Sequence, residues 1–502
     1  MGLMGLFTPI YMKGNLNTRQ VRTAIRKVEK MTDQAKLTAV ALEGKDKSVR
    51  SAAVGRLEDA NLVADLALSD PSVEDAAFEQ LKKLRDQNAL VKVLTRHPSP
   101  DFGFILGAIK LIRDQSALER IAQTAASDKA REYAVEKLEN QSVLNDIALN
   151  SPIAAQRIRA AMKLTDPAVL AKLALEDGNA SVRECAIDNP NMTDAAALSK
   201  AALEDPDRKV RKTAIKHKHM TDSHALAQIA LQDESAAIRN LAAENEHLND
   251  LADLKLILQK SKDEDIREQA VRRLKDAATL ARVALKGKTI MERTYAIRNP
   301  HLTDQAALAK VAIGDEVGNI RCECIRDRLT DPEMLALVAR ESKYADSRIC
   351  AVEHAGFTDV ALLKKIALED GDDDVRVAAI MSKNMTDPDF LEKTATAPGD
   401  GASLRVRLKA ALKLSGIDPV RSVAPLAALI NECRTSGTDD YRVHLLCKDA
   451  AAFLMKQYRA TDDPAIRGVI ATVPNGRYGH GFIDSGDCNK HNDDSVHFDI
   501  PR

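Results

Sequence analysis

Aspartate and arginine recur together along this sequence at a fixed separation of six: Asp177 and Arg183, Asp205 and Arg211, Asp233 and Arg239, Asp315 and Arg321, Asp370 and Arg376. Paired in this way the two side chains neutralise one another and can exchange bidentate hydrogen bonds; unpaired, the arginines would form a basic stripe for an acidic partner. Because the aspartate always travels with the arginine, the row reads as a structural ladder. A second set, His217, His219, His247, His301 and His354, gathers in two related registers at the ends of amphipathic stretches, where imidazole could bind metal, sense pH or contact a partner. Helices stacked about 8 to 10 Å apart hold such side chains too far from one another for a tight tetrahedral metal site, and imidazole near a helix C-terminus is favoured by the helix dipole anyway, so the set reads first as structural, with partner contact as its functional reading. A third set lies in the last thirty residues, where His480, Cys488, His491 and His497 stand among aspartates, a donor set suited to zinc or another divalent ion. Apart from that possible tail site, no cofactor is expected.

The cysteines add little at this stage. Cys185, Cys322, Cys324, Cys350, Cys433, Cys447 and Cys488 follow no spacing of a disulfide framework or zinc module, and an odd count of seven suits a reducing cytoplasm. Cys322-x-Cys324 has the wrong spacing for a zinc knuckle, and Cys324 takes the place of a buried alanine. The opening residues carry no basic n-region, Leu6 stands where a myristoylation motif wants serine or threonine, and no stretch is apolar for long enough to span a membrane.

What must position these side chains is a repeat. The segment NMTDAAALSKAALEDPDRKVRKTAIKHK is followed, 28 positions on, by HMTDSHALAQIALQDESAAIRNLAAENE. The apolar residue opening each unit can be followed from Met31 through Leu57, Ile112, Met192, Met220 and Phe357 to Leu414, at intervals of 26 to 29 residues. Within a unit, Asp166, Asp194, Asp222, Asp304, Asp331, Asp359 and Asp387 are N-cap residues, three of them with proline at the first helical position. A first apolar stripe follows, then a break at the ladder aspartate, then a second stripe containing the arginine. Neither helix exceeds about a dozen residues, so each is marginal alone and stacking is compulsory. The expected fold is therefore an all-α solenoid of about fourteen two-helix repeats.

A short helix pair with Asp in the turn and Arg six residues later resembles HEAT-type repeats; the phrases VRECAIDNPNMTD and TYAIRNPHLTD also resemble the leucine-rich repeat variant family. The HEAT resemblance implies that the Asp and Arg side chains form hydrogen bonds between successive turns. It covers residues 21–415, after an N-terminal segment 1–20; a helical cap is expected over 416–473 and a flexible polar tail over 474–502. Units between about 57 and 150 keep the register but replace the Thr-Asp cap with EDAN, RDQN, RDQS and ENQS.

Formal charge is −1, from 73 basic and 74 acidic residues, so no global field gathers nucleic acid or an anionic membrane. HEAT-like repeats also occur in enzymes: bilin lyases, a di-iron hydroxylase using His-Glu dyads, and base-lesion glycosylases. This chain has no His-Glu dipeptide and no tryptophan, and no bilin-lyase residue can be carried over. The expectation is a non-enzymatic, cytoplasmic scaffold for a protein or peptide, with an enzyme or enzyme subunit of the bilin-lyase type, or metal-dependent binding through the His/Asp-rich tail, as the alternatives.

Overall fold

In a computed structural model the residues described are 9–398, 401–435, 440–473, 476–478 and 496–498. They form two compact units, one ending at Asp253 and the other beginning at Leu254. Each unit is an α-solenoid stack in which short helices follow one another in pairs and every pair lies against the next.

One pair shows why the sequence folds this way. Helix Pro167–Glu176 starts where the Asp166 carboxylate accepts the Ala168 N–H, with Pro167 filling a position whose own N–H would have no intrahelical acceptor. Its buried residues Leu170, Ala171, Leu173 and Ala174 fall on one stripe. The chain turns at Asp177, and Asn179 caps the second helix, Ala180–Asp188, by accepting from the Ser181 and Val182 N–H groups. Val182, Ala186 and Ile187 complete the core from that side. At 10 and 9 residues these helices hold only because neighbouring pairs bury their stripes. The unit-opening residues Met192, Met220, Leu248, Leu302 and Phe357 are buried between pairs. In the degenerate units Asp59, Asp86, Asp114 and Asn140 cap the first helices through the same side-chain bond, which is why the register survives there.

Past Ile417 the helices lengthen to 17 residues in Pro419–Thr435 and 20 in Tyr441–Ala460, and they cover the final short pair with Leu426, Ile430, Leu446 and Ala450. The polar tail departs from the all-helical pattern: Gly476–Tyr478 and Val496–Phe498 pair as antiparallel strands, with Arg477 opposite His497. Among the described residues no helix is long and apolar enough to cross a membrane.

Candidate functional site

Three sets of inter-repeat hydrogen bonds occupy most of the regular polar residues. The first lies at the turn inside each pair. Arg183 donates Nη1–H to the backbone oxygen of Asp177 in its own turn at 2.9 Å, and forks Nε and Nη2 onto Asp205 of the next turn at 2.6 and 2.8 Å. Arg157 does the same to Ser151 O and Asp177, Arg211 to Asp205 O and Asp233, Arg293 to Gly287 O and Asp315, and Arg348 to Ser342 O and Asp370. Each guanidinium thus fixes its own turn and the next. Burial alone would raise the Asp177 carboxyl, but the Arg157 fork and the Asn179 amide overcome it and hold the group below its ordinary range.

The row also departs from its simplest form. Arg321 bonds Asp315 O, but its fork goes to Asp346 and Ser347, because the following turn residue is Ser342 and offers no carboxylate. Arg376 donates to Ala367 O and Gly401 O, and the next arginine of the row, Arg407, donates to Ala397 O and forks onto Glu432. Arg239 donates to Asp233 O at 3.0 Å. Further arginines of the row, among them Arg157, Arg267, Arg293 and Arg348, have Ser151, Ser261, Gly287 and Ser342 in place of the turn aspartate, so the Asp–Arg spacing does not reveal them. The arginine needs only a backbone oxygen from that residue, so side-chain identity there is free.

A second set lies at the far end of the second helix. Asn189 donates to Ala161 O and Leu164 O of the preceding unit while its own Oδ1 accepts the Asn191 N–H. Asn245 and Asn299 repeat this with His247 and His301 as the residues whose N–H is accepted. Where the asparagine is absent, Lys137 or Arg328 reaches the same class of carbonyl from a neighbouring position. A third set uses glutamine at the first helical position: Gln115, Gln141 and Gln305 each donate to a backbone oxygen of the next unit and accept an N–H two residues further on.

The histidines therefore have particular places. His217 and His354 stand at the helix end itself and accept, through Nδ1, the N–H of His219 and Gly356. His247 and His301 lie in the turn after an asparagine. His217 and His247 line one cleft of about 380 Å³, together with Lys216, Lys218, Leu241, Asn245 and two glutamates, Glu244 and Glu246, and the His219 ring lies 5.6 Å from that of His217. Burial, and then the neighbouring His219, push His217 below the usual imidazole value, which favours its neutral form. His301 and His354 belong to the other unit, each in its own turn. No three His, Cys, Asp or Glu side chains among the described residues are grouped to hold a metal ion. His480, Cys488 and His491 lie outside the described residues, and of the four tail donors only the backbone of His497, in its strand, is described.

Beside the cleft runs an unbalanced patch of charge. From Arg208 to His219 the chain has six Lys and Arg and no acidic residue. Arg211 is held by Asp233 and Glu234, whereas Arg208, Lys209, Lys212, Lys216 and Lys218 are exposed and form no ion pair among the described residues.

Fold and site together define a helical-repeat protein of the α-solenoid class. No family model and no curated relative matches the chain. A solved structure of the UNC-45 chaperone, described for features critical for binding and folding muscle myosin, is 14% identical over 91% of this chain and 71% of its own, with a TM-score of 0.21. One of importin beta is 12% identical over 91% of this chain and 64% of its own, with a TM-score of 0.18. Superposition at that level carries no argument about partner or activity.

Proposed function

We propose that this chain is a HEAT-type binding scaffold that holds an acidic segment of a partner protein against the second-helix face around Arg208–His219. The observation that carries this reading is the contrast between two kinds of cation. The periodic arginines are consumed by carboxylates and backbone oxygens, whereas five exposed cations on one helix and the turn after it form no ion pair with a described residue, Glu244 and Glu246 lining the adjoining cleft without closing on them. Exposed charges of one sign steer an oppositely charged segment and set its register, and the adjoining cleft, walled by Leu241 and the His217 ring, offers apolar surface for a side chain between them.

The test is fluorescence anisotropy of the full chain against a short labelled Glu/Asp-rich peptide, a Lys-rich peptide and a DNA duplex, each over a salt series. The acidic peptide should bind, and the triple variant K212E/K216E/K218E should weaken it roughly tenfold or more, three exposed charges being worth on the order of 0.5 kcal/mol each. Binding of the duplex in preference to the peptide would replace this reading with nucleic-acid recognition. Unchanged peptide affinity in the folded triple variant would refute the proposed surface.

A further inference from the structure

Six cysteines are free among the described residues, and two of them face each other across a repeat boundary. Cys322 lies on the second helix Gly318–Glu323 and Cys350 on the second helix of the next pair, Ala345–Glu353; their sulfur atoms are 3.0 Å apart. That separation is closer than two sulfurs in ordinary contact and about 1 Å longer than a disulfide bond. Both residues are half-buried, so a small molecule can reach them while the helices hold them together.

Their surroundings separate this pair from the other thiols. Cys433 and Cys447 also hydrogen-bond one another, but both are buried, at 6% and 2% exposed, so the half-buried Cys322 and Cys350 are the pair open to a reagent. Cys324, two residues along, is fully buried with its sulfur 3.3 Å from Leu308 O, and burial pushes its thiol up to about 12, leaving it inert. Cys185 occupies the register of Cys350 in its own repeat, two residues after the ladder arginine, but the position corresponding to Cys322 in the preceding repeat is Ile158, so no second thiol stands in register with it. The helix bearing Cys322 passes directly into a π-helical turn, Cys324–Arg328, so the backbone beside the pair is not regular α-helix. Arg326, within that turn, donates to Cys322 O at 3.3 Å and brings a positive charge to the pair. Cys350 gives its S–H to Cys322, and burial followed by that contact raises the Cys350 thiol, so the proton stays on Cys350.

We propose that Cys322 and Cys350 are a thiol–disulfide site, oxidised by low-molecular-weight disulfides of the glutathione type, that closes a covalent staple between two consecutive repeats. The Cys322 thiolate attacks one sulfur of glutathione disulfide, breaking its S–S bond and expelling one glutathione thiolate. Cys350, losing its proton to solvent, then attacks the Cys322 sulfur of the mixed disulfide and expels the second glutathione. Two protein thiols become one disulfide, one glutathione disulfide becomes two thiols, and the two protons end on glutathione.

The experiment treats the folded full chain with glutathione disulfide, quenches with N-ethylmaleimide and maps the cysteine peptides by mass spectrometry. The expected result is a Cys322–Cys350 linked peptide accumulating on the order of tenfold faster than any second-step product at Cys185, because ring closure within the pair is intramolecular. C322S and C350S, shown by circular dichroism to retain the helical fold, should each lose the linkage and leave a stable glutathione adduct on the remaining cysteine. Separate glutathione adducts on both cysteines of the native chain with no linkage, a linkage between two chains on a non-reducing gel, or no reaction while Cys185 is modified would each overturn the proposal. The mapping on the native chain decides the matter even if a serine variant fails to fold.

Discussion

Replacing Arg183 with methionine tests whether the turn ladder holds the stack together. The side chain is 8% exposed and makes three bonds, one to Asp177 O and two to Asp205, which is itself 8% exposed. Methionine keeps the aliphatic contacts and removes all three. Removing one partner of a buried pair costs about 3 to 5 kcal/mol, chiefly because the other charge is left uncompensated. Asp205 keeps one bond, from the Asp207 N–H at 2.8 Å, so the lower end applies and R183M should lose about 3 kcal/mol. In the double variant R183M/D205N the stranded charge is gone while the asparagine oxygen can still accept that N–H, so the double variant should be about 1 to 2 kcal/mol more stable than R183M alone.

Because each repeat touches only its neighbours, this loss is local, and a whole-chain melt would dilute it. Hydrogen exchange read by mass spectrometry on peptides from Ala180–Asp188 and Arg208–Lys216 is the suitable assay. At about 1.4 kcal/mol per tenfold, exchange there should speed up by roughly two orders of magnitude. Exchange within about threefold of the parent, or a double variant as unstable as R183M, would refute the ladder's structural role. If instead only affinity for a partner fell, the row would be a binding stripe after all.

Three further outcomes follow from the same contacts. Asp177 has a folded-state pKa below its unfolded value, so its contribution is complete above the ordinary carboxylate value of about 3.9 and disappears as pH falls through the lower folded value; an acid titration followed by circular dichroism should show a shallower loss of stability below about pH 5 in R157M than in the parent. Asn189→Ala removes a buried amide from two carbonyls of the preceding unit and should cost about 2 kcal/mol by urea unfolding, whereas a loss under about 0.5 kcal/mol would show that the Asn191 amide suffices for Leu164 O. Phe104, 1% exposed and stacked on Phe78 at 4.1 Å between ring centroids, should lose about 3 to 4 kcal/mol on replacement by alanine, read by urea unfolding.

The repeat, its caps and its core were legible because each rests on a residue type that physics confines to one place: aspartate before a first helix, an apolar opener between pairs. The asparagines at the second-helix ends were visible only as part of a resemblance to the leucine-rich repeat variant, because one amide bridging two carbonyls and an N–H leaves no periodic charge or hydropathy to detect. Gln115, Gln141 and Gln305 could have been found from their place directly after the cap residue. Cys322 and Cys350 stand one 28-residue period apart, a spacing that belongs to the repeat and not to a disulfide framework or zinc module, so cysteine spacing alone does not single them out. The paired strands at Gly476–Tyr478 and Val496–Phe498 are too short to leave a period-two signal.

The two features assigned a role beyond stability share an origin in this architecture. A stacked array fixes its register by repeating the same polar bond at every turn, so any side chain that recurs with the period is already engaged by its neighbours and is a poor candidate for binding. The position after each ladder arginine makes no bond that recurs with the period, although Glu184 accepts one from Thr213 of the next repeat, and it holds Glu184, Lys212, Asn240, Cys322 and Ile349 in different repeats. Lys212 belongs to the unpaired basic patch and Cys322 to the thiol pair; both are breaks in the period, at a place where substitution leaves the ladder intact. In a repeat protein of this kind, specificity is written in departures from the consensus, and K212E should alter binding while leaving exchange at the Arg183 and Arg211 turns unchanged.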